Sequence, residues 1–228
     1  TEHGFQGNIY EAHTLCEQYG LKCIFGVEAY YVDDMYDKSS RSNYHLMLIA
    51  MNDNGRKEIN KIMSLANTDG FYYKPRIDLK CLLSLTPSDV IITTACVASR
   101  MFKDDWEDAF LKPVLNHFGK NFYLEVQNHN ELVQIEHNKK LLKVKEKYGV
   151  QLIHANDSHY IMPEDAKYRD LFLNAKGMHY EEESNFILDY PDSNTIIERY
   201  RTQGVLNDEQ IQEALTNTLI FDNAEPIK

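Results

Sequence analysis

Short apolar runs rich in β-branched and aromatic residues alternate, along most of this chain, with segments of helical period. That alternation predicts an α/β arrangement with mostly parallel strands, because parallel neighbours need a long crossover, usually a helix, between them. Strands are predicted at Cys23 to Phe25 with Ala29 to Val32, and at Leu46 to Met51, Val90 to Ala95, Phe122 to Val126 and Gln151 to Ala155. Helices are predicted at Asn8 to Tyr19, Gly55 to Ala66, Asp105 to Phe118, Glu131 to Tyr148 and Pro163 to Ala175. Gly20, Gly119 and Gly149 fall just past three of these helices, where a left-handed residue commonly ends a helix. From Lys176 onward the pattern changes to an acidic loop, a strand at Asn185 to Leu188, and helices near Ser193 to Tyr200 and Asp208 to Ala224. This reads as an annex, 176–228, to a core over 1–175, and 228 residues suit one such domain.

Charge narrows the function. The 24 Lys and Arg stand against 35 Asp and Glu, a net charge of −11, which excludes a broad electrostatic grip on nucleic acid. Phosphate chemistry here must bring its positive charge locally, as bound metal does. The four cysteines form no C-x-x-C pair and no zinc knuckle, so a reducing, cytoplasmic setting is the simplest home. No apolar stretch is long enough for a membrane span. The opening Thr1-Glu2-His3-Gly4 has neither a signal-peptide pattern nor an initiator Met, and is expected to be cut from a longer chain.

Active groups of parallel α/β folds gather on the loops after the strands, so polar residues just past each apolar run are the ones to collect. Glu28 sits in or at the end of an apolar strand, flanked by Val27, Ala29 and Tyr30. Buried without a partner, it would cost about 2–5 kcal/mol, so it needs a cation nearby or solvent. Val90 to Ala95 leads to Cys96, Phe122 to Val126 leads to His129, and Gln151 to Ala155 leads to Asp157-x-His159; His3 closes a stub of a further strand. Imidazole, carboxylate and thiolate are donors for Zn²⁺ and Mn²⁺, and side chains two apart on an extended segment share one side. By residue type alone Asp157 and His159 also suit a capped turn, Cys96 a small core residue, and His129 a loop closure. His45 precedes its strand, so the strand-end rule does not place it and residue type suggests a structural role. Tyr72-Tyr73-Lys74-Pro75-Arg76 is an aromatic and basic segment in an acidic chain, suited either to stacking a base and binding phosphate or to a packed turn with snorkelling cations.

Taken together, Thr1-Glu2-His3-Gly4, Gly26-Val27-Glu28-Ala29-Tyr30, Tyr44-His45-Leu46, Gly70 to Asp78, Ala95-Cys96, Phe122 to His129 and Ala155 to Tyr160 resemble, in order, the PHP (polymerase and histidinol phosphatase) domain. The version they are most similar to opens the bacterial or phage DNA polymerase III alpha subunit. Pro163 to Ala166 and Glu213 to Thr218 resemble that subunit too.

The resemblance implies a distorted seven-stranded β/α (TIM-like) barrel whose rim holds up to three divalent ions, Zn²⁺ or Mn²⁺, with Mg²⁺ or Fe²⁺ as alternatives. It implies His3, Glu28, His45, Cys96, Asp157 and His159 as metal ligands, against the plain residue-type readings of His45 and Cys96. Asp157 and His159 are then the catalytic pair, with Arg76 and His129 as substrate contacts. The family's opening strand, with its His-x-His pair and following Asp, does not appear in this sequence, and Glu2 stands where the family usually has Asp; the ligand set is therefore expected to be incomplete. The implied activity is metal-assisted phosphoester hydrolysis at a DNA 3′ end, a 3′–5′ proofreading exonuclease inside a DNA-directed DNA polymerase. Its partners are then DNA, the remaining polymerase domains and replisome subunits. Competing expectations are a non-catalytic scaffold and a free-standing phosphatase of the histidinol phosphatase type.

Overall fold

The computed structural model describes residues 1–178 and 186–226. The chain forms two compact units, Thr1–Leu124 with the segment from Leu219 onward, and Glu125–Thr218. The first unit carries α1 (Ile9–Gln18), β1 (Gly26–Tyr31), β2 (Tyr44–Ala50), α2 (Asp53–Thr68), β3 (Arg76–Ile77), α3 (Leu79–Leu83), β4 (Val90–Thr93) and α4 (Lys112–Phe118). β5 (Phe122–Val126) passes from the first unit into the second, which continues with α5 (Leu132–Tyr148), β6 (Gln151–His154), α6 (Ala166–Ala175), α7 (Ser193–Gln203) and α8 (Asp208–Asn217).

The strands hydrogen-bond in the order β3-β1-β2-β4-β5-β6. β1 is parallel to β3 and β4 to β5, whereas β2 is antiparallel to both of its neighbours, β1 and β4. The α/β class predicted from the alternation is therefore found, with six strands among the described residues, an arrangement consistent with a PHP barrel. All of β1 is buried, as expected of a strand covered on both faces. Val27, Ala29, Leu46 and Leu48 are essentially sealed from solvent, and α2 adds Ile59, Ile62, Met63 and Ala66, a spacing that lines one helical face. Asn52 caps α2 by accepting from Gly55 N at 2.9 Å. Gly55 is required there, because a Cβ would stand 2.1 Å from the Asp89 carbonyl oxygen.

The predicted elements shift at their ends for identifiable reasons. β1 is one run, Gly26–Tyr31, and not two pieces around residue 27. β4 stops at Thr93 because Ala95 turns left-handed, φ 57°. The helix predicted from Asp105 begins as a π turn, Glu107–Leu111, before α4. Pro113 accounts for this: it lacks the N–H that would continue the α ladder. Of the strand predicted over Asn185 to Leu188, Asn185 lies outside the described residues and 186–188 are irregular. The last helix is α only to Asn217, then 3₁₀ over Thr218–Asn223. Two short elements, β3 and α3, were not predicted; two and five residues are too few to show a period.

Candidate metal centre

In the first unit the sheet brings a carboxylate, an imidazole and a thiol to one point. Glu28 faces Met47 across the β1–β2 ladder and His45 faces Tyr30, so Glu28 and His45 are diagonal neighbours on the same face. The His45 Nδ1 lies 2.5 Å from a Glu28 carboxylate oxygen and 3.4 Å from the Cys96 Sγ. One donor atom from each of the three residues falls within 4.8 Å of the others. The antiparallel direction of β2 explains the placement of His45. Because β2 runs against β1 and β4, its first residues lie at the end where those strands finish. The strand-end rule missed His45 only because it assumed that every strand points the same way.

Cys96 is delivered by backbone strain. Ala95 is buried and left-handed, a conformation costing about 1–2 kcal/mol for a residue with a Cβ. The following loop is pinned to β2: His45 N donates to Ala98 O at 3.0 Å, and Ser99 N donates to Cys96 O at 3.0 Å. His3 joins from the other side of β1. Gly4 N donates to Glu28 O at 2.8 Å and Glu28 N to Glu2 O at 3.0 Å, which makes residues 2–4 a short parallel bridge beside β1. The His3 Nε2 is 3.3 Å from Glu28, and its ring meets the His45 ring edge-on at 5.9 Å. Glu28 is 8% exposed, so the cost anticipated for a buried carboxylate is met by two imidazoles converging on it.

The donor set fits a divalent ion of mixed character. A thiolate and an imidazole suit Zn²⁺ and are poor ligands for Mg²⁺, while the carboxylate also serves Mn²⁺. The groups seen to converge on Glu28, the His3 and His45 imidazoles, are themselves potential ligands.

Asp157 and His159 belong to the second unit, on the loop after β6. The His159 Nδ1 is 3.9 Å from Asp157, both side chains are partly buried, and Asp157 is left-handed at φ 52°. His159 N donates to Leu188 O at 2.8 Å, which holds the loop. His129 is buried, its ring stacked on Phe186 at 4.5 Å and 16°. Burial, with the Arg199 cation next in importance, lowers its pKa to about 4. It lines a cleft of about 410 Å³ with Asn128, Glu131, Thr195, Glu198 and Arg199.

Arg76 lies in the first unit and is 1% exposed. Its guanidinium donates to Gly70 O at 3.1 Å, Asp37 O at 2.9 Å, Met35 O at 2.9 Å and Ser40 O at 3.5 Å. These bonds make it a clamp on the loop between β1 and β2. Sequence reasoning missed Tyr30, whose ring lies edge-on to His45 at 5.6 Å. Its position two residues after Glu28, on the same face of a strand, was the available clue.

The second unit carries a pH prediction. His154 Nε2 lies 2.8 Å from Asn156 Oδ1 and Nδ1 lies 2.7 Å from the Tyr200 hydroxyl; burial lowers its pKa to about 4, partly opposed by the Asn156 bond. With folded pKa values below the ordinary 6.5, His129 and His154 stay neutral while the unfolded chain takes up protons. Their effect is absent above pH 6.5, and stability falls as the pH drops from about 6.5 toward 4, by up to about 3 kcal/mol for each group. Denaturant unfolding at pH 7 and pH 5, with NMR titration of the two rings, checks this; titration of both near 6.5 contradicts it.

Comparison with known proteins agrees with the geometry. The family model for the PHP domain matches residues 1–129. The DNA polymerase III subunit alpha of Borreliella burgdorferi is 35% identical over 187 residues, 76% of this chain and 16% of that protein. The Aquifex aeolicus DNA polymerase III subunit alpha is 33% identical, covering 72% of this chain and 16% of that protein. A DNA-directed DNA polymerase of Bacillus phage SPbeta is 28% identical, covering 88% of this chain and 18% of that protein. The chain thus spans less than a fifth of the length of these curated relatives. With a matching domain model over more than half its length and potential ligands gathered on one sheet face, the chain belongs to the PHP domain family.

Proposed function

We infer that this chain is a PHP domain of a DNA polymerase III alpha-type protein, extending through both units, and that its donor cluster holds a divalent metal for phosphoester hydrolysis at a DNA 3′ end. The observation that carries this reading is the convergence of Glu28, His45 and Cys96 within 4.8 Å. His3 is the further first-unit ligand in this reading, Asp157 and His159 are ligands carried by the second unit, and the fold is a seven-stranded barrel. A divalent ion held there supplies Lewis-acid stabilisation of phosphate charge and lowers the pKa of a water.

The protein's own groups do the rest. Glu28 and Cys96 supply the negative charge that retains a cation in the cleft, and His45, edged by Tyr30, fixes the donor geometry between them. Asp157 and His159 are the catalytic pair in this reading, a carboxylate and an imidazole able to take and return a proton. His129, neutral and in contact with a cleft, is the substrate contact. The part of Arg76 in substrate binding is indirect, through the loop it clamps. The surrounding protein is a cytoplasmic DNA-directed DNA polymerase working with DNA and replisome subunits, and polymerisation belongs to other parts of it.

The test uses the purified chain and its full-length protein with Mn²⁺ or Zn²⁺ and an oligonucleotide labelled at its 3′ end. Release of labelled mononucleotide that EDTA stops, and that Cys96→Ser reduces on the order of 100-fold, is expected. A metal-free protein that releases nothing overturns the enzyme in favour of a scaffold, and faster release of phosphate from histidinol phosphate than of nucleotide from DNA overturns the substrate.

A further inference from the structure

The five residues Tyr72 to Arg76 divide their labour in a way that the sequence left open. Arg76 is spent on backbone carbonyls, as described above. Tyr73 and Lys74 turn outward. Tyr73 is 55% exposed and holds a left-handed backbone, φ 60°, a conformation that is strained for a bulky residue. The tight turn is closed by Tyr72 N donating to Lys74 O at 3.0 Å. A packed turn would bury its aromatic ring; this one presents it.

The exposed Tyr73 ring and the buried Tyr30 ring each carry a cation. The Arg41 guanidinium, from the loop before β2, lies 3.6 Å from the centre of the Tyr73 ring and also donates to its hydroxyl. The Lys74 ammonium lies 4.8 Å from the centre of the Tyr30 ring and 3.3 Å from its hydroxyl. Tyr30 is the ring set edge-on against His45. Lys74 is therefore linked to His45, one of the donors, through a single aromatic ring. Tyr73, next to Lys74 in the chain, is exposed and carries Arg41 on its ring.

The geometry points to this surface as a binding platform for single-stranded nucleic acid that leads to the metal centre: Tyr73 stacks a base, and Arg41 and Lys74 contact the flanking phosphates. Aromatic faces interleaved with cations are how proteins hold single strands without reading sequence. In a chain at −11, two local cations beside rings provide a short grip where a broad one is excluded. The inference rests on the phosphoesterase reading for its direction, toward the donors, but its binding step needs no metal.

The experiment is fluorescence anisotropy of a labelled oligo(dT) with the whole chain in EDTA, over a range of salt. Wild-type protein is expected to bind, and Tyr73→Ala to weaken binding on the order of 10-fold, in the range of one lost base stack. Arg41→Ala and Lys74→Gln, both at exposed positions, should each reduce the slope of log K against log salt by about 0.7, the value for one phosphate of a single strand. Thermal unfolding establishes that each variant is folded, and Lys74→Gln carries the test if Tyr73→Ala is not. Absence of oligonucleotide binding in EDTA, binding unchanged in all three variants, or equal competition by polyglutamate overturns the platform. The metal reading is scored separately, by metal content, so either can fail alone.

Discussion

Replacing Cys96 by serine or Glu28 by glutamine lowers the affinity of the chain for Zn²⁺ on the order of 100-fold or more, measured by competition with a chromophoric chelator. Each change removes one of three donors that sit within 4.8 Å, and the lost one must be replaced by water. The same loss has a thermodynamic signature that does not depend on activity. A metal at 100 times its dissociation constant stabilises the folded state by about 2.7 kcal/mol, so Zn²⁺ should raise the melting temperature of the wild type and leave both variants nearly unmoved. Without metal, Glu28→Gln should cost little, because it removes a buried charge while keeping the shape. Equal Zn²⁺ affinity in wild type and variants would remove this site from any metal chemistry.

The second large effect is structural. Arg76→Ala should destabilise the first unit by about 3–5 kcal/mol, read from denaturant unfolding. The substitution leaves the carbonyls of Gly70, Met35 and Asp37 without their donor and opens a void where a fully buried side chain stood. Arg76→Lys should recover only part of this, since an ammonium cannot span carbonyls arranged around a planar fork. Since the clamped loop carries Arg41 and leads into His45, the alanine variant should also weaken metal and oligonucleotide binding, by less than Cys96→Ser and Tyr73→Ala respectively. A melting temperature within a degree or two of wild type contradicts the clamp.

Much of the fold was legible in the chain. The β5 boundaries, Phe122–Val126, coincide with the prediction, and Gly20, Gly119 and Gly149 all adopt the positive φ that their positions past helix ends suggested. The elements that escaped are those whose cause is not local. β3 is two residues long and exists because β1 offers it an edge at Tyr30 and Tyr31. The π turn before α4 reflects a proline whose effect depends on where the helix starts.

For the candidate site, residue type and strand position were enough to mark Glu28 as a carboxylate in need of a partner, met by His3 and His45. By residue type Cys96 suited a core residue, and only the family resemblance made it a ligand. Side-chain alternation tells which residues share a face of a strand, so this much follows from order along the chain. It says nothing about which way a strand runs. The direction of β2 is decided by hydrogen bonding to two neighbours at once, and that alone carries His45 to the end where β1 and β4 finish. Likewise, the left-handed turn at Ala95 and the burial of Arg76 arise from what surrounds them, because backbone strain and desolvation are tolerated only where tertiary contacts repay them.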